Sequence, residues 1–237
     1  MRSSFLSLLL LGLGASSSPG QEKPTPATAP QPDRGAAQPP PEGMVWIPGG
    51  SFTRGSDHKF KQTRAEYPEE APVHTVTVDG FWMDLTEVTN RQFMEFAKAT
   101  GYQTQAERGW DPKDFPNAPP DQLKGGALLF KSPRAKVELF RPGAEWQWWQ
   151  FTQDANWRHP QGPASSIRDR MNHPVVCITH EDALAYCKWA GKRLPTEAEW
   201  ERAARGGLDH KLFMWGDEPQ PGGKWQANVF QGQFPHN

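Results

Sequence analysis

The chain has 237 residues, 36% of them hydrophobic, with 24 prolines, 22 glycines and a formal net charge of -1. That length supports one substantial domain with its own core. The 26 basic and 27 acidic residues are interspersed, so composition gives no electrostatic ground for a nucleic-acid partner or for attraction to an anionic membrane surface.

Arg2 precedes the apolar run Phe5 to Leu13, and the small residues Gly14, Ala15, Ser16 and Ser17 follow it. This order predicts a secretory signal peptide over residues 1–17, cleaved after Ala15 or Ser17. The run is shorter than the ~20 residues a membrane-spanning helix needs, so the mature protein is expected to be exported with no integral span. Residues 18–43 carry Pro24, Pro26, Pro30, Pro32 and the run Pro39 to Pro41 with almost no large apolar side chains, and read as an extended linker. The folded domain is expected over residues 44–237.

Met44 to Ile47, the turn Pro48-Gly49-Gly50 and Ser51 to Thr53 read together as a β-hairpin. In His74 to Val78, Val76 and Val78 alternate with Thr75 and Thr77, predicting a strand that Asp79-Gly80 turns into Phe81-Trp82-Met83. Three helices are expected to begin at Thr89, Thr179 and Thr196. Each threonine can accept an orphan amide, and Gln92, Asp182 and Glu199 stand three positions on to reach back. The helices are expected to stop near Gly101, Gly191 and Gly206. Helical spacing predicts buried faces at Phe93, Phe96 and Ala97, at Ala183, Cys187 and Ala190, and at Trp200, Ala203 and Ala204. Few strands, short helices and long loops make an α+β domain.

Cys177 and Cys187 are the only cysteines. In an exported protein each can pair, stay buried as a small hydrophobe, or have its partner elsewhere. Cys177 lies in the apolar stretch Val175 to Ile178, which reads as a strand, so a core thiol is expected. His74, His159, His173 and His180 share no ligand spacing, which argues against zinc. Trp146, Trp148, Trp149 and Trp157 can stack on sugar or peptide or fill a core.

Ala190 to Glu201 reads AGKRLPTEAEWE and is followed by Arg205-Gly206-Gly207-Leu208. This stretch resembles the formylglycine-generating, or sulfatase-modifying factor, family. So do Met44 to Gly50, Asp84 to Asn90 (DLTEVTN), Thr100-Gly101-Tyr102, Asn156 to Gly162 (NWRHPQG), His173 to Val176, Asp182 to Trp189 (DALAYCKW), Trp215-Gly216 and Ala227 to Pro235 (ANVFQGQFP), in the family's order.

The resemblance implies an irregular fold like that of C-type lectins and a partner in an unfolded sulfatase polypeptide. Family members with a C-terminal cysteine pair oxidise a sulfatase cysteine to formylglycine, using oxygen and Cu(I) held by two thiolates. That pair is expected beyond Asn237, so this chain is expected to be the N-terminal portion of such an oxidase, an incomplete fold without activity of its own. The resemblance also implies that Cys187 is a structural cysteine whose disulfide partner lies in the C-terminal segment. Asn228 and Val229 match the start of a family calcium site, a partial one because Ca2+ takes six to eight oxygens; the residue types alone equally allow Asn228 to cap a turn. The alternative function is a non-catalytic sulfatase-binding paralogue or a ligand-binding module of the same fold.

Overall fold

The computed structural model describes residues 39–55, 70–120, 123–139 and 141–236. The expected signal peptide and most of the proline-rich segment lie outside the described residues. The strands are β1 (Met44–Ile47), β2 (Gly50–Arg54), β3 (His74–Val78), β4 (Phe81–Asp84), β5 (Gly126–Phe130) and β6 (Trp149–Gln153). The helices are α1 (Asn90–Thr100), α2 (Gln105–Arg108), α3 (His180–Trp189) and α4 (Glu197–Arg205), with short 3-10 turns between. Helices and strands share one irregular α+β arrangement, as the sequence predicts. Among the described residues no helix is long and apolar enough to cross a membrane.

The expected hairpin at Pro48-Gly49-Gly50 does not form. β1 pairs antiparallel with β4, Met44 opposite Asp84 and Ile47 opposite Phe81, while β2 pairs with β3, Gly50 opposite Val78 and Arg54 opposite His74. Both pairings keep one register, so the two short sheets form a single ribbon interrupted at Pro48-Gly49 on one side and Asp79-Gly80 on the other. Pro48 has no N–H to give the ladder. A side chain on Gly49 would stand 2.7 Å from the Gly80 amide nitrogen, so the glycine there serves close approach of the two chains and not a reversal. On β3, Val76 and Val78 are half-buried and Thr75 and Thr77 exposed, the predicted alternation.

All three predicted helix starts are capping boxes, at Thr89 with Gln92, Thr179 with Asp182 and Thr196 with Glu199. A fourth, Thr104 with Glu107, opens α2. α1 and α4 end on Gly101 and Gly206 with φ of 68° and 56°, a left-handed conformation that costs a residue with a Cβ.

α1 buries Phe93, Phe96 and Ala97 as its spacing predicts. They pack with Trp157, Ile167, Tyr186 and Cys187 into the main core. Phe93 lies edge-on to Trp157 at 5.2 Å and Phe96 edge-on to Tyr186 at 5.7 Å, the arrangement that ring quadrupoles favour. On α3 the most buried positions are Asp182, Tyr186 and Cys187, with Ala183 and Ala190 half-buried.

Two expectations fail in this region. Trp200 is half exposed, because the apolar face of α4 borders an open cleft instead of the packed core. Val175 to Ile178 is not a strand: Cys177 has a φ of 58°, which breaks an extended run, and its thiol lies 3.9 Å from the Pro160 carbonyl. Only Val175 keeps a ladder-like bond, donating to the Val88 carbonyl at 2.9 Å.

Candidate functional site

The apolar edge of the ribbon and the segment joining α3 to α4 enclose a cleft of about 730 Å3, within the range of small-ligand and peptide sites. Phe81, Trp82 and Met83 of β4 form one wall and Leu194, Pro195 and Trp200 the opposite one, with Tyr186 and Cys187 of α3 between them. The polar element is an ion pair: Lys192 Nζ donates to Asp84 Oδ1 at 2.6 Å. Both side chains are about two-thirds buried, so the pair meets less screening than a surface bridge.

The thiol at this site is not poised for attack. Burial pushes the Cys187 pKa up, the Asp84 carboxylate adds to the rise, and Lys192 partly offsets it. A protonated thiol is a poor nucleophile and a poor metal ligand. Tyr186 beside it is raised as well, first by burial and then by Asp84. Cys177 is raised by burial alone. Both cysteines are free thiols, and neither surrounding supplies the electropositive setting that stabilises a thiolate, so the pair does not fit a dithiolate copper site.

Around the cleft, the motif residues are held by polar contacts that explain their identities. Asp182 is fully buried and accepts from the Thr179 amide at 2.8 Å, the Tyr102 hydroxyl at 2.9 Å and the Gln105 amide at 3.1 Å. It thereby ties α3 to the start of α2. Glu107 accepts from the Thr104 amide, Trp157 Nε1 at 3.2 Å and Arg158 Nε at 3.1 Å. The Arg158 guanidinium stacks 4.1 Å above the Trp157 ring. Burial opposes ionisation of Glu107, yet the bonds from Thr104 and Arg158 outweigh it and hold its pKa below the ordinary value. Arg193 grips Glu199 with two bonds of 2.7 and 2.6 Å. Arg202 donates to the carbonyls of Pro48 and Gly49 at 2.8 and 2.9 Å, fastening α4 to the ribbon where its ladder is interrupted.

Of the residues singled out from sequence, Cys187 lines the cleft, while Cys177 does not. Asn228 and Val229 are exposed in irregular chain and do not line the cleft. A side-chain oxygen of Asn228 and the Val229 carbonyl would be only two of the six to eight oxygens that a calcium ion takes. Of the tryptophans, Trp157 and Trp148 are buried, while Trp146 and Trp149 face solvent. The Asp84 and Lys192 pair was missed. Both residues stand in the motifs quoted above, but 108 positions separate them, and no local pattern joins them.

A fold whose core, caps and cleft are built from these motifs defines a class, the sulfatase-modifying factor domain. Residues 28–237 match the family model for the sulfatase-modifying factor enzyme 1-like domain, and the chain belongs to that family. It is 50% identical to a formylglycine-generating enzyme of Mycobacterium tuberculosis over 194 residues, 81% of this chain and 61% of that protein. It is 47% identical to the formylglycine-generating enzyme of Mus musculus, over 81% of this chain and 47% of that protein. A protein of Bos taurus named inactive C-alpha-formylglycine-generating enzyme 2 is 40% identical, over 81% of this chain and 57% of that protein. The chain thus spans about half to three-fifths of the length of these relatives.

Proposed function

We propose that this chain is the N-terminal portion of a formylglycine-generating oxidase, the part that helps to hold an unfolded sulfatase polypeptide, and that it does not oxidise cysteine by itself. The 50% identity to a formylglycine-generating enzyme supports the sulfatase-maturing role. The absence of activity rests on the cysteines: burial shifts the pKa of both Cys177 and Cys187 upward, away from the thiolate form, and two accessible thiolates are what copper and oxygen chemistry requires. In this reading Cys187 is structural and pairs with a cysteine outside these residues. Asn228 and Val229 supply part of a calcium site. The domain over 44–237 has the C-type-lectin-like arrangement, behind a signal peptide at 1–17 and a linker at 18–43, and works after export.

The deciding experiment offers the purified chain a peptide carrying Cys-x-Pro-x-Arg under oxygen with Cu(I) present, and reads the peptide mass. The expected result is an unchanged peptide. Formation of formylglycine by the 237 residues, lost in Cys177→Ser or Cys187→Ser, would overturn the proposal. The second reading, a non-catalytic modulator, is favoured by the 40% identity to the inactive bovine paralogue. Binding of a sulfatase by the full reading frame without turnover would select it.

A further inference from the structure

We draw no further inference here: the strongest candidate, the open apolar cleft walled by Phe81 and Trp82 of β4 and by Leu194, Pro195 and the half-exposed Trp200, belongs to the site already described, and nothing in the structure shows what covers it.

Discussion

Asp182 ties three segments of the chain together through one buried carboxylate. It caps α3, binds the Tyr102 hydroxyl and receives the Gln105 amide, all with no exposure to solvent. Removing it leaves buried donors without acceptors, each costing about 1–3 kcal/mol. Asp182→Ala is therefore expected to lower unfolding free energy by about 3 kcal/mol or more, read from the denaturant midpoint at constant slope. The same bond, after burial, lifts the Tyr102 pKa to about 12, so tyrosinate formation at alkaline pH should show Tyr102 titrating late. Asp182→Ala should remove the part of the rise that the bond adds and leave the larger part that burial causes. Residue identity made the cap legible, since Thr179-x-x-Asp182 is a local pattern. The contacts to Tyr102 and Gln105 were not, because they span 80 and 77 positions.

At the level of elements, α4 offers the clearest test. Its cap Thr196 accepts from the Glu199 amide at 3.2 Å, and Thr196→Ala should cost about 1 kcal/mol. Glu199 is held at a pKa of about 2, first by Arg193 and then, against the cost of burial, by the bonds from Thr196. A carboxylate whose folded pKa is depressed adds stability that is full above its ordinary 4.5 and is lost as pH falls toward 2. Thermal melts should accordingly decline over that acid window. Glu199→Gln should be less stable at neutral pH and lose less on acidification through the same window. Helices were the most legible elements, since caps and glycine stops are short-range features. The ribbon was not: Pro48-Gly49-Gly50 carries hairpin composition, yet both flanking strands find partners in the segment 74–84. Pairing there depends on which distant strand completes the ladder, and turn chemistry cannot report that.

For the molecule as a whole, the thiols report how closed the structure is. Burial raises both pKa values, so at neutral pH Cys177 and Cys187 should react with an aromatic disulfide reagent more slowly than free cysteine. Denaturant should release both at once if unfolding is cooperative. Rapid native reaction of Cys187 would instead mean that the cleft opens around α3. The sequence by itself determined the family, the α+β class, the helix starts and the aromatic face of α1, because each depends on neighbours within a few positions or on motifs kept in order. Only the tertiary structure decided that the ribbon replaces a hairpin, that Asp84 meets Lys192 across the cleft, that Trp200 borders open space, and that Leu128, Phe130, Trp149 and Phe151 face outward. Those outcomes depend on which remote surfaces meet and which side of a strand they leave uncovered. A two-residue period names both faces of a strand without saying which one is buried.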